Sequence, residues 1–201
     1  MQTLSKLGFA EQTLTKSKFL ACAAHCQTEL EVAAFLRAIA SKHPSAHHLA
    51  YAFRIETVDG LGNHMIVPRF SDAGEPSGTA GKPILQMLEG RDLINVCVGV
   101  IRYYGGVNLG TGGLARAYSG TARMALEAAT CMPFVEMQEI NLTIQYNRVD
   151  ELSRVVAQLK GKIIDQAFAE LVHVKVSLPA SDTQQLMRRF GYYESFTNEQ
   201  I

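Results

Sequence analysis

Two glycine-rich stretches hold most of the residues in this chain that could do chemistry. The first, residues 70–83, contains Asp72, Glu75, Gly78, Thr79, Gly81 and Lys82. The second, residues 102–113, contains Arg102, Tyr103, Tyr104, Gly105, Gly106, Gly110, Thr111, Gly112 and Gly113, with Arg116 just beyond. Glycine loses more conformational freedom on folding than any other residue. Loops this rich in it point to φ > 0 turns or to close approach of backbone to a ligand. A short apolar region separates the two stretches, so they are expected to flank one strand and form a single composite site.

The sharpest chemical reading is at residues 109–113, which lead into a helix. A helix N-terminus has unsatisfied N–H groups and a partial positive charge, which suits phosphate or carboxylate. Gly112 and Gly113 would leave the backbone open to the anion, and Lys82, Arg102 and Arg116 are the nearest cations in sequence. The alternative is a tight strand-to-helix connection that needs glycine for packing alone. Asp72 and Glu75 lie in one turn and could ligate Mg²⁺ or act as acid and base. The favoured reading is local capping of the turn by Asp72, so no metal, cofactor or catalytic residue is assigned. Tyr103 and Tyr104 could stack nucleobases beside Arg102 if exposed, or be core if buried; alternation places at least one in the core.

Known fingerprints do not fit these loops. Gly81-Lys82 would end a P-loop, but Pro76 stands at the earlier glycine and Pro83 at the Ser/Thr. The run from Gly110 to Ala115 matches G-x-G-x-x-A, yet it is five residues from the preceding strand. There is no G-x-S-x-G elbow. His47 and His48 point to opposite faces of a strand and make no metal pair.

Composition narrows the classes. The 201 residues have zero formal net charge, 47% hydrophobic and 19% charged residues, an ordinary globular balance. Neither half is a polycation, so any anion site must be local. No apolar run reaches membrane-spanning length, and the N-terminus lacks the apolar core of a secretory signal, so a cytoplasmic protein is expected. Cys22, Cys26, Cys97 and Cys131 show no CxxC pair and read as reduced thiols.

The elements that must position the loops follow from periodicity. Residues 14–26 read as a strand carrying Lys16 and Lys18 on one face, and Thr28 to Glu31 as a capping box opening a helix to about Ser41. Residues 48–55 alternate as a half-buried strand, Asp59-Gly60 and Gly62-Asn63 supply turn chemistry, and 64–67 a return strand. A short helix over 83–88, a doubly buried strand over 93–103 and a helix from about Leu114 to Ala129 complete the first part. Pro133 interrupts the pattern. Beyond it, strands over 138–145, 162–169, 171–178 and 192–196 and helices over 148–159 and 182–190 give a βαββαβ, ferredoxin-like order. Two α+β domains are expected, residues 1–134 and 136–201.

The strings DAGEPSGTAGKP and RYYGGVNLGTGGLARAY resemble the signature of the IMPACT family, whose bacterial members are called YigZ. Family members usually carry Asp-Asp-Gly-Glu-Pro; here the second acid is Ala73. The resemblance implies an N-terminal domain like the second domain of a small-subunit ribosomal protein, of the βαβ-type, left-handed crossover class. It also implies a C-terminal domain resembling domain V of elongation factor G. The function it implies is a non-enzymatic, cytosolic binding protein linked to translation regulation, acting on RNA, the ribosome or a regulatory protein through the Gly-rich loops. The alternative is an enzyme or binder of a phosphorylated small molecule at the same loops.

Overall fold

The structure, a computed structural model, describes residues 1–58 and 64–191. After a short strand β1 (Gln2–Lys6), the chain forms β2 (Gly8–Leu14) and β3 (Ser17–His25), where one strand over 14–26 is expected. Thr15 and Lys16 both take positive φ (46° and 65°), the geometry of a two-residue type I′ hairpin turn. Lys16 is therefore a turn residue and does not share a strand face with Lys18.

Helix α1 (Glu29–Lys42) starts at the expected cap: the Thr28 hydroxyl accepts from the Glu31 N–H at 3.1 Å, and the Glu31 carboxylate accepts from the Gln27 N–H at 2.7 Å. Strands β4 (His48–Val58) and β5 (His64–Ser71) follow, and their expected turn residues, Asp59-Gly60 and Gly62-Asn63, lie outside the described residues. Then come α2 (Gly81–Gly90), β6 (Val96–Tyr103), α3 (Gly110–Ala128) and β7 (Thr130–Pro133), the last pairing antiparallel with β1.

Five strands form one sheet in the order β2-β3-β6-β4-β5, every neighbouring pair antiparallel. Strands β3 and β4 flank β6 and run parallel to each other, joined by α1 across its face: a split βαβ unit. The apolar run of β6 is buried on both sides, as its composition requires. Val96, Val98 and Val100 pack with Ile84, Leu88, Tyr118 and Leu126 on the side of α2 and α3. On the α1 side, Cys97 packs with Val32, Phe53 and Ile55.

Contacts divide the chain into two units, Met1–Phe134 and Val135–Ile201. In the second, β8 (Met137–Ile144), α4 (Val149–Gln158), β9 (Lys162–Phe168), β10 (Val172–Pro179) and α5 (Thr183–Phe190) build a three-stranded antiparallel sheet, order β8-β10-β9. Leu142, Val174 and Val176 pack there against Leu152, Val156, Leu186 and Phe190. Again two parallel strands flank a third, with α4 as the crossover. The expected last strand, 192–196, lies outside the described residues. Among the described residues, no helix is long and apolar enough to cross a membrane.

Candidate functional site

The first glycine-rich loop leaves β5 at Ser71 and is closed from within by Asp72. One carboxylate oxygen accepts from the Gly78 N–H at 2.8 Å; the other accepts from Ala80 at 2.9 Å and Gly81 at 2.8 Å. Partial burial pushes the Asp72 carboxyl up, but the backbone N–H groups of Gly78, Ala80, Gly81 and Lys82 outweigh it, and its pKa lies below the ordinary carboxylate value. Ala73 takes φ 50° and Gly74 φ 86°. Left-handed backbone favours Asp and Asn among non-glycine residues. The second acid usual in the family at position 73 would suit this backbone, which Ala73 adopts here. Gly81 is required sterically: a Cβ there would stand 2.4 Å from the Ser71 carbonyl oxygen.

Beneath the loops lies a buried ion pair. Arg102, 4% exposed, donates from Nη1 to Glu75 Oε1 at 2.7 Å, and the Tyr118 hydroxyl donates to the same oxygen at 2.8 Å. Burial pushes the Tyr118 phenol up, and the Glu75 hydrogen bond and charge push it further, so it stays a donor. Arg102 Nη2 lies 3.3 Å from Ser17 Oγ, which also accepts from the Gly105 N–H at 3.2 Å. The guanidinium sits over the rings of Phe19 and Tyr104, 5.6 and 5.0 Å from their centroids, while its Nε is buried with no partner among the described residues. His48 stands beside the pair, with Nε2 4.0 Å from Glu75 Oε1 and Nδ1 2.9 Å from the Ala73 carbonyl. Six segments meet here: both loops, β3, β4, β6 and α3. Removing one partner of such a buried pair leaves the other charged and unsatisfied.

The second loop is held by shape. A Cβ on Gly105 would lie 2.0 Å from the Lys16 carbonyl oxygen, so the loop rests on the hairpin turn. Tyr103 is half-buried, its hydroxyl 2.9 Å from His43 Nδ1, whereas Tyr104 is exposed and donates to Asn108 Oδ1 at 3.2 Å. Helix α3 begins at Gly110 (φ 67°), four residues earlier than expected, so Thr111, Gly112 and Gly113 form its first turn. Its N-cap, Leu109, supplies no side-chain acceptor. A Cβ on Gly112 would find only the Arg116 guanidinium, at 3.6 Å.

The structure sorts the expected site residues into two sets. Asp72, Glu75, Gly78, Thr79 (hydroxyl to the Pro76 carbonyl, 2.6 Å), Gly81, Arg102 and Gly105 are engaged inward. Lys82, Tyr104, Gly106, Gly110, Thr111, Gly112 and Arg116 are exposed, with Tyr103 and Gly113 half-buried. Arg102 is accordingly not the outward cation that its place in sequence implies; it is neutralised by Glu75. Sequence reasoning missed Ser17, Tyr118 and His48. Tyr118 had a signal, since Leu114, Ala117, Tyr118 and Thr121 share helical spacing and are all buried. Ser17 had none, because Thr15 and Lys16 lack the Asn-Gly chemistry that marks a hairpin turn.

Comparison with known proteins gives a consistent assignment. Residues 15–126 match the Impact N-terminal domain, and residues 142–190 match a domain of unknown function, DUF1949. IMPACT family member YigZ of Escherichia coli K12 is 35% identical over 180 residues, covering 90% of this chain and 86% of that protein. An IMPACT family member of Thermus thermophilus is 39% identical over 158 residues, covering 79% of this chain and 80% of its own length. A crystal structure of a hypothetical protein, 32% identical, superposes with TM-score 0.71 over 94% of this chain and 89% of that one. The chain belongs to the IMPACT family.

Proposed function

We propose that this chain is a non-enzymatic cytoplasmic binding protein that presents the second glycine-rich loop and the start of α3 to RNA phosphate within the translation machinery. The observation that carries the reading is the division of labour at the loops. The carboxylates of Asp72 and Glu75 are engaged by backbone N–H groups, Arg102 and Tyr118. The uncapped first turn of α3 faces outward beside Arg116 and in sequence just after the exposed ring of Tyr104. Uncapped N–H groups with a nearby guanidinium suit a phosphate, and an exposed tyrosine suits a stacked base. Membership of the IMPACT family supports the link to translation, which the resemblance of its motifs implies.

Filter binding of single-stranded RNA at several salt concentrations tests the reading. Lys82→Ala and Arg116→Ala should each weaken binding and make its salt dependence shallower by about one unit per lost phosphate contact. Gly112→Asp should remove it. Undetectable or salt-independent binding would overturn the RNA reading. Saturable uptake of a phosphorylated small molecule, abolished by Gly112→Asp, would put the metabolite alternative in its place.

A further inference from the structure

The arginines of the second unit are gathered in one place. Three of its four, Arg148, Arg188 and Arg189, line a single hollow of about 360 Å³, together with Phe190 and the end of β8. They arrive from two elements: Arg148 stands at the start of α4, and Arg188 and Arg189 lie in the last turn of α5.

Two of the three are fixed by their neighbours. Arg148 donates from Nε and from Nη2 to Glu151 Oε2, each at 3.2 Å, and from Nη2 to the Arg189 carbonyl at 3.1 Å. Arg189 donates from Nε to Glu151 Oε1 at 3.0 Å. Both guanidiniums lie over the Phe190 ring, 4.5 and 5.9 Å from its centroid. A planar cation held on a ring and by a carboxylate has few other positions open to it. Arg188 is exposed and has no ion-pair partner among the described residues.

The charge in this hollow does not balance, because three guanidiniums share one carboxylate. The hydrogen bonds from Arg148 and Arg189 hold the Glu151 carboxyl below the ordinary carboxylate value, so it stays ionised and fully engaged. Donors are left over as well. A guanidinium carries five N–H groups, and among the described residues Arg148 Nη1, Arg189 Nη1 and the whole head of Arg188 make no hydrogen bond. Planar donors that converge from two elements suit a tetrahedral anion, which offers oxygens in several directions; the two oxygens of a carboxylate lie in one plane.

We propose that this hollow is a second phosphate-binding site, built by the second unit alone. Arg188 supplies the unshared charge, and Arg148 and Arg189 supply prealigned N–H donors. The group bound is the phosphate of an RNA backbone or of a free phosphorylated small molecule, since the same chemistry recognises both.

The test uses the full chain, isotopically labelled, and follows the Nε–H signals of Arg148, Arg188 and Arg189 by NMR as inorganic phosphate is added. Sodium chloride at matched ionic strength is the control. Phosphate should move the three signals along one saturating curve, and chloride should not. Arg188→Gln removes the unshared charge and leaves the Glu151 network in place. It should weaken binding about tenfold, with the melting temperature unchanged. Arg154→Gln, on an exposed arginine of α4 outside the hollow, should change nothing. Neither should Gly112→Asp, which separates this site from the loops. Uridine monophosphate and a single-stranded RNA of about ten nucleotides are then compared. Tighter binding of the RNA, with a salt dependence that Arg188→Gln makes shallower by about one unit, identifies the backbone as the source. Equal or tighter binding of the monophosphate identifies a free small molecule. Shifts that do not saturate, shifts that chloride reproduces, or unchanged binding by Arg188→Gln would overturn the proposal.

Discussion

The two glycine-rich loops differ in how far side chains satisfy their backbone before the next helix begins. In the first, side chains satisfy the backbone: Asp72 takes three N–H groups, and Glu75 anchors the loop to Arg102 and Tyr118. In the second, side chains take only the first N–H groups, Tyr104 to His47 Nδ1 at 3.3 Å and Gly105 to Ser17 Oγ at 3.2 Å; Gly105 is seated on the hairpin turn, and the helix that follows starts without a side-chain cap. A loop that has closed its own donors acts as a strut. A loop that leaves donors open at a helix start has N–H groups that a ligand could take, which is what the proposed RNA site uses. Abundant glycine therefore has two meanings a few residues apart, and only the partners of the N–H groups tell them apart.

The sharpest way to break this contrast is Glu75→Ala. It strands a buried guanidinium and should cost about 3–5 kcal/mol in denaturant unfolding; a loss below about 1 kcal/mol would mean that the first loop is not held by the ion pair. Gly105→Ala is next, since its Cβ would drive into the Lys16 backbone. A destabilisation of about 1–3 kcal/mol is expected, and a neutral result would show that the second loop does not depend on that seat.

Asp72→Asn keeps the shape but sets an amide donor against backbone donors, with an expected loss of about 1–3 kcal/mol near neutral pH. The Asp72 carboxyl has a lower pKa folded than unfolded. Its contribution is therefore complete above the unfolded value and lost as pH falls through the folded one. The gap between wild type and variant should narrow below about pH 4; a gap that widens with acid would reverse the assignment. Ala73→Asn should stabilise by up to about 1 kcal/mol, because asparagine tolerates the left-handed backbone that alanine resists. The smallest effect on stability is expected from Gly112→Asp. Its backbone is not left-handed and its Cβ meets only Arg116, and a carboxylate at a helix start is favourable by a few tenths of a kcal/mol to about 1. The melting temperature should hold or rise slightly while phosphate or RNA binding disappears, and retained binding would move the site off α3.

Much of this arrangement was legible in the chain. The doubly buried β6 followed from an unbroken apolar run between punctuated loops, and the Thr28 cap from a local side-chain pattern, both short-range signals. The β2–β3 turn was not, because Thr15 and Lys16 adopt positive φ without the residues that advertise it. That one missed turn hid the edge strand, the position of Ser17 and the seat of Gly105. The role of Arg102 was hidden for a different reason. Whether a cation faces solvent or a carboxylate depends on partners 27 and 85 residues away, and no local pattern encodes them.

The pairing of β1 with β7 has a further consequence. Gln2 lies opposite Pro133, the Phe134 N–H donates to the Met1 carbonyl at 3.2 Å, and the Met1 ammonium is 2.9 Å from Asp92. The first unit is thus entered and left at one point, like a bulb on a single stem. Inserted whole into a surface loop of an unrelated host, residues 1–134 should require the host to open by little more than the width of a strand pair, and two separate cooperative melts in such a chimera would check it.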